Sequence, residues 1–330
     1  MKGVVQVVVL IIMLLVGVPL VVGLSLGEEY DIYGVDFAGN KLETPQKIKV
    51  WDAEKEKIEK VDFEEYVCRV VASEMPSEFH HEALKAQAVA ARTYAMSKIQ
   101  SFYEREPEAH PDAPLCNGTH CQVCKSEKVL IDTHQEGWEK DGYKKIKKAC
   151  KETEGQLLYY EGQLVTQPLF FSSSGGQTEN SEDVFTSEYP YLVSVSSPYE
   201  DGASHTNEMK SFTLEEIKEK INDKCIEKNT GDFTTKEIKI LSRTAGGRVD
   251  KMQIGQSTYR GTEIRNALGL SSALFSLGFE EEGGQWKVVF TSNGYGHGVG
   301  MSQYGANGMA NEGSDYIQIL THYYSGTKVY

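Results

Sequence analysis

Glu74 stands where one helical pattern ends and another has yet to begin. The stretch SEMPSEFHHEALK, residues 73–85, breaks at Pro76, and an alanine-rich run carrying Lys85 and Arg92 follows. A carboxyl group at such a junction points into the space where two helices part, and there it can act as a general acid or base. Lys85 and Arg92 are two helical turns apart and share one stripe. Cations on a helix built for close packing are costly unless they line a wet groove or meet a carboxylate. Two assignments follow. Either an ion pair ties Glu74 to Lys85 or Arg92, or all three face a substrate.

Residues 293–313, NGYGHGVGMSQYGANGMANEG, hold seven glycines and bring His297, Ser302, Gln303 and Tyr304 into one loop. Glycine lets a backbone approach a ligand or take positive φ. The GYGHGVG spacing is not a dinucleotide fingerprint, because Gly300 comes too late and the downstream acid and βαβ setting are missing. A ligand-binding loop and a conformationally demanding turn both satisfy the pattern. A second polar loop, SSSGGQT at 172–178, contains Ser173 and Gln177.

A third constellation is HPDAPLCNGTHCQVC, residues 110–124, with His110, Cys116, Cys121 and Cys124 in one proline-bearing loop and His120 beside Cys121. Thiolates with imidazole suit zinc. The alternative is a disulfide from Cys116 to Cys121 or Cys124, which leaves one thiol to find a partner elsewhere. The basic stretch KDGYKKIKKACK, residues 140–151, reads as a solvated helix face.

These groups need elements to position them. Asp62, with Glu65 three residues on, predicts a helix start and a helix through about residue 73. Pro76 redirects the chain, and a second helix is predicted over 80–103, with alanine on several faces so that neighbours approach its backbone. Residues 104–137 are expected to be irregular. A helix over 138–154 ends at Gly155, and strands are predicted at 156–161 and 164–171. Thr213 and Glu216 cap a further helix, GRVDKMQIG and WKVVFTS read as strands, TEIRNALGL opens a helix, and two more helices are predicted near 301–311 and 314–324. The mixture predicts an α+β fold.

Val4 to Leu26 is almost wholly apolar. As a helix it reaches roughly 34 Å, enough for a bilayer's hydrocarbon core. It exceeds the apolar core of an ordinary signal peptide, which is the alternative reading. The expected organisation is an N-terminal transmembrane helix as membrane anchor (1–29), then a mixed helix/strand extracytoplasmic region (30–330) with a substrate cleft, in which 201–284 is a candidate second lobe. Lys2 before the span and Glu28, Glu29 and Asp31 after it favour an inside N-terminus. The net charge of −14 argues against a nucleic-acid partner.

Taken together, VVASEMPSEFHHEALKAQAVAARTYAM, FFSSSGGQTE, YPYLVSVSSP and GYGHGVGMSQYGANGMANEG closely resemble the stage II sporulation protein D family. Its members are membrane-anchored lytic transglycosylases of endospore formers, related to amidase-enhancer proteins. The resemblance spans about residues 60–330 and implies cleavage of peptide-stripped peptidoglycan glycan strands to 1,6-anhydro-muramyl ends during engulfment. The glutamate of the Glu-Met-Pro motif, here Glu74, is the implied acid and base. One carboxyl suffices because the sugar's own 6-hydroxyl is the nucleophile, so the second carboxylate of ordinary glycosidases is not demanded. Lys85 and Arg92 are then expected to contact substrate or its supporting groups. Ser173, Gln177, His297, Gln303 and Tyr304 are expected to line the cleft and hydrogen-bond sugar, or else to fix its loops.

The resemblance also implies a structural zinc held by His110, Cys116 and Cys121, with Cys124 or His120 as further candidates. Implied partners are glycan strands and stage II sporulation proteins M and P. The implied location is the mother-cell membrane, facing the space around the forespore. The amidase-enhancer relatives imply a competing role, a glycan-binding activator of a separate peptidoglycan amidase. An envelope scaffold is a third reading.

Overall fold

The computed structural model describes residues 42–102, 105, 107–110, 112–225 and 228–330. The expected anchor at 1–29 lies outside the described residues, and no described helix is long and apolar enough to cross a membrane.

An alanine-rich helix organises the part that carries Glu74. Helix α1 (Phe63–Glu74) starts at Asp62, whose side chain accepts from the Glu65 amide at 3.0 Å. Helix α2 (His81–Phe102) buries Ala83, Ala86, Ala88, Ala90, Ala91 and Ala95. Side chains this small allow close interaxial approach. Helices α1, α4 (Gly142–Glu152), α8 (Gln303–Asn311) and α9 (Tyr316–Tyr323) all pack on α2. The Pro76 junction between α1 and α2 is clamped from α4. Lys145 Nζ donates to the carbonyls of Ser77 at 2.9 Å and Phe79 at 2.6 Å, so this lysine is not part of a freely solvated face.

Strands β1 (Lys47–Asp52) and β2 (Lys57–Asp62) form a hairpin, and β3 (Leu115–Cys116) adds to β1 in parallel. The region 104–137, expected to be irregular, therefore contributes a strand and also helix α3 (Glu127–Thr133), capped by Ser126. The strand expected over 164–171 is broken. Strand β4 (Leu158–Tyr160) pairs with β5 (Gln163–Leu164), and β6 (Phe170–Phe171) begins only after Pro168.

After the short helix α5 (Ser181–Val184), two three-stranded sheets enclose their own apolar core. One joins β7 (Glu208–Thr213), β11 (Phe275–Glu282) and β12 (Gln285–Ser292) in the order β11-β12-β7. The other joins β8 (Ile238–Arg243), β9 (Val249–Ile254) and β10 (Ser257–Arg260). Helices α6 (Leu214–Lys224) and α7 (Gly261–Leu268) bury Ile217, Ile221 and Ile264 against Met252, Tyr259 and Phe290. Strand β13 (Met301–Ser302) pairs with β6 in parallel, and β14 (Thr327–Val329) returns to β4. Helices and several small sheets in one chain make this an α+β fold.

Candidate active site

Glu74 is the last residue of α1 and lines a recess of about 230 Å³. The recess is walled by Tyr94 of α2, by Thr119 and Cys121–Val123 of the cysteine loop, and by Leu169, Phe170 and His297. Its carboxyl is fixed at both oxygens: Oε1 accepts from the Val123 amide at 3.3 Å, and Oε2 from the Gln303 side-chain amide at 3.5 Å. Burial pushes the carboxyl above the usual carboxylate range, and the Gln303 and Val123 hydrogen bonds offset only part of that. Among the described residues Glu74 makes no ion pair, and it is the only carboxyl lining the recess.

The two cations expected beside Glu74 are elsewhere. Arg92 has no exposed side-chain surface and donates from Nε and Nη2 to both oxygens of Glu64, at 2.8 and 2.6 Å. Its remaining donors reach the Cys150 and Gln156 carbonyls. Lys85 pairs with Glu82 at 2.9 Å and lies over the Tyr316 ring. Both cations thus meet carboxylates within the helical bundle, and neither lines the recess. The expected substrate contacts from Arg92 and Lys85 give way to structural pairing.

The loop residues divide in the same way. Gln303 touches Glu74, whereas Tyr304 packs edge-on against Phe79. His297 lines the recess with its ring, but both nitrogens are spent. Nε2–H donates to the Phe170 carbonyl at 3.1 Å, and Nδ1 accepts from the Val299 amide at 3.1 Å. Burial lowers its pKa to about 4, so the imidazole is neutral and offers a ring face rather than a hydrogen bond. Gln177 donates to Ser194 Oγ at 2.9 Å, and Ser173 pairs through its backbone with Tyr295 while its hydroxyl is buried. Gln177 and Tyr304 thus make contacts within the protein and do not line the recess, and the Ser173 hydroxyl has no hydrogen-bond partner among the described residues.

Two unforeseen residues hold those loops. Arg248 is buried beneath the glycine-rich loop and donates to Glu179 at 3.2 Å and to the Gln177 and Ser174 carbonyls. Gly298, at φ +90°, leaves room for its guanidinium, which a Cβ would strike. Glu200 accepts from the Ser174 and Gly175 amides at 2.9 Å and from Ser302 Oγ at 2.5 Å, joining the 172–178 loop to the start of α8. The loops they join are not local to them: Arg248's partners lie about 70 positions away, and Glu200 bridges residues 25, 26 and 102 positions away.

In the cysteine loop, the ligand atoms of His110, Cys116, His120 and Cys121 all lie within 4.8 Å of one another. His110 Nδ1–H donates to the Ala113 carbonyl at 2.8 Å, which leaves the Nε2 lone pair facing Cys121 Sγ at 3.3 Å. Two imidazoles and two sulfurs fit zinc by donor chemistry. Cys124 is not in the group. It is buried against the Tyr66 carbonyl, so His120 takes the place expected for it. All six cysteines are free thiols, Cys116, Cys121 and Cys124 among them.

Comparison with known proteins agrees with the motifs. The family described as Stage II sporulation protein matches residues 52–160, and a domain of unknown function matches residues 205–300. The chain is 39% identical over 292 residues to Stage II sporulation protein D of Bacillus subtilis (strain 168), covering 87% of this chain and 79% of that protein. The same protein of Bacillus amyloliquefaciens is 38% identical over 291 residues, with the same coverage of 87% and 79%. A Bacillus subtilis protein named Amidase enhancer is 27% identical over 303 residues, covering 78% of this chain and 39% of that protein.

Proposed function

The chain belongs to the stage II sporulation protein D family, and from that premise we propose that it is a lytic transglycosylase acting on peptide-stripped peptidoglycan strands. The observation that carries this reading is the recess with a single carboxyl, Glu74, among its described lining residues. Hydrolysis by the usual glycosidase route uses two carboxyl groups. A transglycosylase needs one, which serves twice.

In the first step protonated Glu74 gives its proton to the glycosidic oxygen as the bond to muramyl C1 breaks. The raised pKa from burial favours the required acid form. In the second step the carboxylate accepts the proton of the muramyl 6-hydroxyl as O6 bonds to C1, closing the 1,6-anhydro ring and restoring the acid. The Val123 and Gln303 donors hold the intermediate carboxylate between the two steps. Tyr94 and the ring of His297 supply walls of the recess beside the carboxyl.

His110, Cys116, His120 and Cys121 would hold a structural zinc. The ion would cross-link the loop that ends at Val123. Under the same reading residues 1–29 anchor the chain in the mother-cell membrane and residues 30–330 work outside the cytoplasm. Glycan strands are then the substrate, and stage II sporulation proteins M and P the partners.

The likeness to the amidase enhancer favours one competing role, a glycan-binding activator of an amidase. The deciding experiment incubates the full chain in detergent, and its Glu74→Gln variant, with glycan lacking stem peptides, and counts 1,6-anhydro-muramyl ends by mass spectrometry. The parent is expected to make them, with a loss of about 10²–10⁴-fold in the variant. Binding by both proteins without any such ends would overturn the enzyme reading in favour of the activator.

A further inference from the structure

The Glu74 recess shares a wall residue, His297, with a further hollow. His297 also lines a second recess, whose far wall includes Arg265, and Arg265 in turn lines a third recess of about 350 Å³. Shared wall residues thus relate three hollows, from Glu74 past His297 and Arg265 to Tyr295 and His205, the middle one of only about 20 Å³.

Arg265 belongs to the last turn of α7 and is only partly buried. Its Nε donates to the Ser271 carbonyl at 3.2 Å, and among the described residues it makes no ion pair. The carboxylates nearby are already engaged. Glu179 holds Arg248, Asp183 accepts from the Asn180 amide at 3.0 Å, and Glu208 accepts from His205 at 2.6 Å with Lys210 at 3.7 Å. Arg265 therefore lines the third recess without an ion-pair partner among the described residues, and the one carboxylate lining the same recess, Glu208, is held by His205 and Lys210.

Beside it stands a fixed aromatic surface. The Tyr295 ring is 46% exposed and stacks on the His205 ring with centroids 4.4 Å apart. Its backbone is locked by reciprocal hydrogen bonds with Ser173, and the neighbouring Gly294 amide donates to the His205 carbonyl at 2.8 Å. A rigid exposed ring offers an apolar face at little entropic cost, while a guanidinium prefers a planar carboxylate. A ligand that satisfies both carries a ring with one apolar face and a carboxylate.

A muramyl residue freed of its stem peptide has that chemistry, because cutting the amide bond liberates the lactyl carboxylate. On an unstripped strand the same position is a neutral amide. We propose that Arg265, with the Tyr295–His205 stack, forms a distal subsite that binds a muramyl residue through its free lactyl carboxylate and so selects stripped strands. This inference rests on the glycan reading above.

The test measures binding by the full chain in detergent, with Glu74→Gln as background so that no strand is cut. The probes are a stripped glucosamine–muramic acid strand and the same strand with every lactyl carboxylate converted to a methylamide. The background protein is expected to bind the free acid about tenfold more tightly. Arg265→Gln should abolish that preference and leave methylamide binding unchanged, which also shows that it is folded. Arg265→Lys should restore part of the preference, and Tyr295→Ala should weaken both probes alike. Retention of the free-acid preference by Arg265→Gln, or equal binding of both probes by the background protein, would overturn the subsite while leaving the glycan reading intact. Binding of neither probe would overturn both.

Discussion

The Val123 amide donates to Glu74 Oε1 at 3.3 Å, two residues beyond Cys121. The carboxyl is thus aimed by the same loop that gathers His110, Cys116, His120 and Cys121. Anything that loosens that loop should disturb Glu74 without touching it.

Zinc content tests this link. The parent is expected to carry about one zinc per chain, bound through its sulfurs and imidazoles. Cys116→Ser and His120→Ala should lose it and should also lose most of the anhydro ends, whereas Cys124→Ser should keep the metal. Elemental analysis of the purified variants reads this directly. A Cys124→Ser protein as metal-poor as Cys116→Ser would show that the four-atom grouping is not the ligand set, and a disulfide among these thiols would rule out the site.

Burial of Glu74 also has a stability consequence. Its folded pKa is raised, so the neutral carboxyl is the form the fold accommodates. Stability from this group is fully present below its unfolded pKa and is lost as pH rises through the folded value. Glu74→Gln keeps a neutral hydrogen-bonding side chain at every pH. The variant should therefore melt higher than the parent at neutral pH and match it in acid. Thermal unfolding followed from about pH 4 to 8 would show the two curves separating; parallel curves would mean the carboxyl is not held in its acid form.

Local signals were legible in the sequence, and long-range ones were not. Asp62 and Thr213 cap their helices as read, because a cap needs only the next three residues. The Glu74 recess depends on Val123 and Gln303, which lie 49 and 229 positions away, and no periodicity reports such a meeting. The choice of His120 over Cys124 turns on which way side chains leave a short loop, which ligand spacing leaves open. One miss had a usable signal. Glu64 and Arg92 lie equally far on either side of residue 78, inside the break between α1 and α2, so an antiparallel helical pair brings them together.

That pairing changes what substitution at Arg92 should do. Removing a buried partner strands the other charge, and the cost for a pair of this kind is about 3–5 kcal/mol. The side chain of Glu64 is 24% exposed and regains some water, which places Arg92→Ala near the lower end, about 3 kcal/mol. Urea unfolding should report that loss. Cleavage per folded molecule should stay within about twofold of the parent, since Arg92 does not line the recess. A large fall in kcat in a stable Arg92 variant would return the residue to the substrate.

Gly298 links loop geometry to the site most directly. It sits at φ +90° with Arg248 beneath it, and it adjoins His297, the wall shared by two recesses. Alanine there meets two separate penalties. The left-handed backbone costs about 1–2 kcal/mol for a residue with a Cβ, and the methyl group collides with the guanidinium. Gly298→Ala should lower both the melting temperature and the yield of anhydro ends, because shifting the loop moves the His297 ring at the recess wall. Arg248→Ala alone should also destabilise, by leaving Glu179 buried without its cation. Combined, the two changes should cost less than their sum, since the methyl collides only while the guanidinium is present. A double-mutant cycle with a coupling of about 1 kcal/mol or more would establish that contact. Strict additivity would mean that the loop relaxes away from Arg248 and that the backbone conformation alone sets the requirement for glycine.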